Sequence, residues 1–139
     1  ALCEGDPFFY GSFMYLFERL VDSHKIEVVP GVSSLMACAA ALAAPLAARN
    51  DVLSVLPAPQ DEDRLAARLE LCDAAAIVKV GRHIGKVRRV LQHLGLESRA
   101  RYIERASLPT ERILPLVEAP DPAPYFSMVL VHRRGEAWK

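Results

Sequence analysis

The sequence has no Cys-x-x-Cys pair. Its three cysteines, Cys3, Cys38 and Cys72, are odd in number and far apart, and its four histidines, His24, His83, His93 and His132, do not cluster. That spacing offers neither a zinc site nor a disulfide framework, and no metal is expected. A reducing cytoplasm is the expected setting. Net charge is also missing, because 17 Lys and Arg balance 17 Asp and Glu. Broad nucleic-acid binding depends on neutralising phosphates, so none is expected, although a local basic patch for a small anion stays compatible. The longest apolar stretch, Leu35–Leu46, is too short to span a bilayer, and no membrane role is expected. The opening residues carry no basic run of the kind that begins a secretory leader. No Ser-His-Asp set, no carboxylate pair and no internal repeat stands out.

What is there is a chain of 139 residues, 52% of them hydrophobic, enough for a sizeable core and too apolar for disorder. Phe13, Leu16, Phe17, Leu20 and Val21 recur at helical spacing, with Ser12 as the expected cap. "IEVVPG" (Ile26–Gly31) reads as a short strand ending in a turn. Ser33 can cap the next helix, Ser34–Ala44, which is apolar on nearly every face and stopped by Pro45. "VLSVLP" reads as a strand. Asp61, Glu62 and Asp63 load the first turn of a helix whose apolar stripe is Leu65, Leu69 and Cys72. "AAAIVKVG" is a buried strand. Ile84, Val87, Leu91 and Leu94 mark a helix closed by Gly95, and its basic run, "GKVRRVLQHLG", reads as an exposed face. "RYIERA", "ERILPL" and "YFSMVLVH" are strands, the last set off by the loop Pro120–Pro124. The alternation indicates an α/β fold. A composition shift near residues 45–51 divides it, so residues 1–46 read as the tail of one domain and 47–139 as a second, complete one.

Two turns could carry chemistry, Glu4-Gly5-Asp6-Pro7 and Pro30-Gly31-Val32-Ser33-Ser34. Each is expected between a strand and a helix, where open α/β sheets form ligand crevices. Glycine lets a ligand approach the backbone. Asp6 offers an acceptor for an ammonium or ribose hydroxyl, and Ser33 and Ser34 offer hydroxyls and free amides at a helix N-terminus. Taken singly, each also reads as an ordinary capped turn.

In content, order and spacing, "GDPFFYGSFMYL", "VVPGVSS", "YIERAS" and "PYFSMVLV" resemble the tetrapyrrole (corrin/porphyrin) methylase family over essentially the whole chain. The resemblance implies two α/β domains, with S-adenosylmethionine folded between them, and a homodimer. Family members begin with a strand and a Gly-Pro-Gly-Asp-type loop, so about a hundred residues, the size of one domain, are expected upstream. The resemblance places S-adenosylmethionine against Glu4, Gly5, Asp6 and Phe9, then Ser33 and Ser34, then Val80, Ala106 and Ser127. Glu4 stands where the family usually has a small residue. Val80 and Ala106 would line the adenine or, alternatively, only pack strand ends.

The implied reaction is a methyl transfer in cobalamin synthesis. The helix "FMYL" and the strand "PYFS" point to carbon 20 of precorrin-2, with metal-free and cobalt-bearing substrates both open. Such a transfer needs alignment and exclusion of water rather than a strong nucleophile, and no catalytic base is named. The substrate's carboxylates call for arginine. Arg49, Arg82, Arg105 and Arg112 are the candidates, each of which also reads as a surface charge. A rival is a non-catalytic α/β binding or dimerisation module. By itself the chain is expected to be inactive and to cover its apolar surface with a second copy or another chain.

Overall fold

The structure is a computed structural model, and it describes residues 1–134. The chain divides into two compact units, Ala1–Ala37 and Cys38–Lys139.

In the first unit, the apolar spacing of residues 13–21 becomes α1 (Phe13–Leu20). Phe8 folds back onto this helix, with its ring 5.1 Å from that of Phe17, edge to face, and 5.8 Å from that of Phe13. Ser12 precedes α1 but does not cap it with its side chain, contrary to expectation. Its φ of −72° and ψ of −11° are already helical, whereas a side-chain cap needs the extended flanking geometry. The expected strand over Ile26–Gly31 is also absent. The segment pairs with no other strand among the described residues, and an extended run becomes a strand only when a neighbour takes up its backbone groups.

The next helix, α2 (Ser34–Ala41), stops three residues short of the expected Ala44. Ala43 takes φ 47°, which lets its N–H reach the Ala40 carbonyl and the Ala44 N–H reach the Ala39 carbonyl, each at 3.0 Å. This is the left-handed helix stop that glycine usually provides. An alanine does it here, so Pro45 is not what ends the helix.

The second unit is built on one sheet. Its strands are β1 (Leu53–Pro57), β2 (Ala74–Val78), β3 (Ala100–Glu104), β4 (Arg112–Pro115) and β5 (Ser127–His132). They lie in the order β1-β2-β5-β3-β4. β1 and β2 run parallel, while β5 is antiparallel to both β2 and β3, and β4 is antiparallel to β3. The α/β expectation holds, with a mixed sheet. β2 and β5 are buried at every position, which is why β2 reads as an unbroken apolar run and β5 as one between Ser127 and His132.

Two helices cover this sheet, α3 (Glu62–Glu70) and α4 (Ile84–His93). Asp61 sits extended at the start of α3, and Glu62 and Asp63 occupy its first turn, where the macrodipole favours them. Leu65, Leu69 and Cys72 pack with Ile84, Val87, Val90 and Leu91 into the core around Ile77, Tyr102 and Val129. α4 closes as its glycine foretold. Gly95 has φ 65°, with Gly95 N–H on the Gln92 carbonyl at 3.0 Å and Leu96 N–H on the Leu91 carbonyl at 2.8 Å. The basic run of α4 is not simply a solvated face. Lys86 donates to the Gln60 carbonyl, Arg88 to the Ala119 carbonyl at 2.8 Å, and Arg89 pairs with Glu62. These three cations tie α4 to its neighbours. Among the described residues no helix is long and apolar enough to cross a membrane.

Candidate cofactor and substrate site

In the first unit, the two turns singled out in the sequence meet through their backbones. The Asp6 carboxylate accepts the Phe8 N–H at 2.9 Å through Oδ1 and the Gly31 N–H at 3.0 Å through Oδ2. The first bond is the local turn that aspartate favours. The second joins segments far apart in sequence. Gly31 is glycine for lack of room. A Cβ there would overlap the Gly5 carbonyl and lie 2.9 Å from its carbon and 3.4 Å from the Asp6 Cα. Gly5 itself takes φ 79°, and a Cβ on it would stand 3.5 Å from the Val32 carbonyl and 3.9 Å from the Ser34 nitrogen. Gly5, Asp6, Ser33 and Ser34 are therefore one knot, with Glu4 exposed at its edge. Phe9 closes the first turn, its N–H on the Asp6 carbonyl at 3.3 Å. Both Asp6 oxygens hold the chain, and each keeps acceptor capacity for a further donor.

In the second unit, the register places the other three cofactor candidates at one end of the sheet. Pro57 faces Val78, Ile77 faces Val129, and Glu104 faces Ser127. The carboxyl ends of β1, β2 and β3 thus lie beside the start of β5. Val80 follows β2, Ala106 follows β3, and Ser127 opens β5. Val80 stands between Lys79 at φ 56° and Gly81 at φ 37°, and Ala106 between Arg105 at φ 53° and Ser107 at φ 67°. Left-handed residues other than glycine are uncommon, cost roughly 1–2 kcal/mol each, and gather at functional sites. Val80 is fully buried in the core. Ser127 is nearly buried and its Oγ donates to the Pro124 carbonyl at 2.7 Å.

Two of the arginine candidates share a buried partner at this same end. Arg105 Nη1 and Arg112 Nη1 each lie 3.4 Å from Glu104 Oε1. Glu104 Oε2 accepts the Tyr102 hydroxyl at 2.6 Å. Burial first, and then the Glu104 carboxylate, push the Tyr102 hydroxyl well above the usual phenol range, so it stays a donor. Arg82 lies just beyond β2, in the turn Gly81–His83. Arg49 precedes β1 and belongs to the opposite end of the sheet, away from the other three.

Sequence reasoning passed over Glu104 and Tyr102. The available signal was their spacing, because residues two apart on a strand share a face. It also passed over the cluster at Arg49's end. There, His132 Nε2 faces Asp51 Oδ2 at 3.2 Å, Arg134 pairs with Asp51, and the Arg134 N–H donates to His132 Nδ1 at 3.3 Å. Burial lowers the His132 pKa. Among the described residues no group of three or more His, Cys, Asp or Glu side chains could hold a metal ion.

Comparison with known proteins places the chain in a family. The model of the family described as Tetrapyrrole (Corrin/Porphyrin) Methylases matches residues 1–119. A precorrin-2 C(20)-methyltransferase from a Sinorhizobium species is 45% identical over 132 residues, covering 94% of this chain and 54% of that enzyme. A cobalt-precorrin-2 C(20)-methyltransferase from Salmonella typhimurium is 32% identical over 135 residues, covering 95% of this chain and 57% of that enzyme. The chain thus spans about half the length of the curated relatives it matches. Among solved structures, the methyltransferase CobJ superposes with a TM-score of 0.69 at 23% identity, over 92% of this chain and 61% of its own, a likeness of fold. A uroporphyrin-III C-methyl transferase from Thermus thermophilus, complexed with S-adenyl homocysteine, gives 0.61 at 26% identity, over 91% of this chain and 62% of its own.

Proposed function

The chain belongs to the tetrapyrrole (corrin/porphyrin) methylase family, and on that premise we propose that the full-length protein methylates carbon 20 of precorrin-2 with S-adenosylmethionine, a step of cobalamin synthesis. The observation that carries the reading is the 45% identity to the Sinorhizobium enzyme across 94% of this chain. The lower identity to the enzyme named for the cobalt-bearing substrate, 32%, favours metal-free precorrin-2.

The residues present fit S-adenosylmethionine through main chain more than through side chains. Gly31 leaves no room for a Cβ against the Gly5 carbonyl, and left-handed backbone flanks Val80 and Ala106 at the sheet end. The residues proposed for S-adenosylmethionine are Glu4, Gly5, Asp6, Phe9, Ser33 and Ser34 in the first unit, and Val80, Ala106 and Ser127 in the second. When bound, S-adenosylmethionine supplies a methyl group on a sulfonium already activated for transfer to an electron-rich carbon. The chain's own task is to bind, orient and exclude water. Arg82, Arg105 and Arg112 would meet the substrate's carboxylates. In this reading residues 1–46 end an N-terminal domain and residues 47–139 form the C-terminal one, in a cytoplasmic homodimer.

Calorimetric titration of the full-length protein with S-adenosylhomocysteine tests the reading. Saturable binding, with turnover of precorrin-2 exceeding that of its cobalt complex, is expected. No binding would overturn the methylase reading in favour of a non-catalytic module, and preference for the cobalt complex would move the reaction to the cobalt-bearing pathway.

A further inference from the structure

The geometry points to Glu104 and Tyr102 as a buried bracket that sets the Arg105 and Arg112 guanidiniums as a paired docking point for a carboxylate of the tetrapyrrole. This rests on the methyltransferase reading above and assigns a positioning role to Glu104 and Tyr102. The Glu104 side chain is 1% exposed. Its two oxygens are divided, with Oε2 held by the Tyr102 hydroxyl at 2.6 Å and Oε1 facing both guanidiniums at 3.4 Å. One negative charge set against two positive ones leaves this group of three side chains with a net positive charge. The arginine side chains are 40% and 56% exposed, so the outer edges of their planar forks reach solvent. Contacts of 3.4 Å are longer than a closed guanidinium–carboxylate pair, where about 2.7–2.9 Å is usual. Each guanidinium has five N–H donors and turns one edge to Glu104. A second carboxylate, brought by a ligand, would complete the arrangement.

The backbone is bent to make this pair. Successive strand residues face opposite sides of a sheet, so Arg105 would ordinarily point away from Glu104. It reaches the same oxygen because the chain leaves β3 at Arg105 through φ 53°. Arg112 comes from the other direction, directly across from Glu104 in the register of β3 and β4. Ser127 lies across from Glu104 on the other side and beside the Tyr102 hydroxyl. The Ser127 hydroxyl is itself held by the Pro124 carbonyl at 2.7 Å, so Glu104 holds the arginine pair without holding that side chain.

Steady-state kinetics of the full-length protein with precorrin-2, together with S-adenosylhomocysteine calorimetry, tests the proposal. Arg105→Met and Arg112→Met should each raise the KM for precorrin-2 about tenfold, the scale of one charge-assisted hydrogen bond, with a smaller change in kcat and unchanged S-adenosylhomocysteine affinity. The double variant should also flatten the rise of KM with salt. Glu104→Gln keeps the shape and removes the charge, and should raise KM without altering cofactor affinity. Arg112→Lys should not restore KM, because a point charge does not replace a planar fork. If Glu104→Gln fails to fold, the two exposed arginine variants still decide. Wild-type KM and wild-type salt dependence in both arginine variants, in a protein that turns over precorrin-2, would overturn the proposal alone. No turnover by the unmodified protein would overturn the methyltransferase reading and this proposal with it.

Discussion

Replacing Asp6 with alanine in the full-length protein removes two acceptors at once. Oδ1 holds the Phe8 N–H at 2.9 Å and Oδ2 holds the Gly31 N–H at 3.0 Å. A hydrogen bond to a charged group contributes about 1.5–3 kcal/mol when shielded and less where water competes. Both bonds are exposed, so each falls below that range at about 1 kcal/mol, and the pair together contributes roughly 2 kcal/mol. Without them the two turns must be ordered by the ligand as it binds, and that cost is drawn from affinity. The expected loss in S-adenosylhomocysteine affinity is therefore about thirtyfold. Asp6→Asn retains one acceptor oxygen and should lose about half that free energy. Calorimetry reads the affinity, and amide hydrogen exchange reads the cause. Protection should fall at Phe8 and at Gly31 together, although the two are far apart in sequence. Unchanged affinity with unchanged protection at Gly31 would refute the reasoning.

Other outcomes follow from single contacts. Gly31→Ala should displace the Gly5–Asp6 backbone, because its Cβ has no space, whereas Gly95→Ala, at φ 65° with open space around it, should cost only about 1 kcal/mol; urea unfolding and cofactor titration of both variants check the contrast. Tyr102→Phe leaves a buried carboxylate short of one donor and should destabilise the protein by about 1.5–3 kcal/mol in chemical denaturation. His132 is buried with its pKa lowered, its Nδ1 accepting the Arg134 N–H. The neutral ring's contribution is thus full above the ordinary histidine value of about 6.5 and is lost as pH falls through the lowered value. The unfolding midpoint should drop on acidification through that window, and His132→Gln should flatten the dependence.

Much of this was legible in the sequence where one physical signal dominated. The strands β2 and β5 stood out because their apolar runs are buried and bounded by turn residues. Gly95 announced the end of α4 because glycine is the cheapest left-handed residue. The same stop at Ala43 carries no such mark, so α2 was read three residues too long. Ser12 is a capping residue by type, yet its backbone is already helical, and type alone does not reveal that. Ile26–Gly31 has the composition of a strand but pairs with none among the described residues. Lys86, Arg88 and Arg89 look like solvent charges in one dimension and are bonded in three to the turn before α3, to the chain beyond β4 and to α3. At the candidate site, the two glycine turns were visible as motifs, but not the Asp6 bond to Gly31 that joins them. Glu104 was hidden because a strand carboxylate declares its burial only when cross-strand neighbours are known. Val80 reads either as lining a ligand or as packing a strand end, and it lies buried in the core.

The account's central claim is methyl transfer to carbon 20 of precorrin-2, and the most direct measurement supplies the full-length protein with S-adenosylmethionine bearing an isotopically labelled methyl group and with metal-free precorrin-2, then locates the label by NMR. The account predicts one labelled methyl group on carbon 20 of the product, formed at a rate that falls in Asp6→Ala and in Arg112→Met. Label on a different ring carbon, or none on the tetrapyrrole despite saturable binding of S-adenosylhomocysteine, would contradict it.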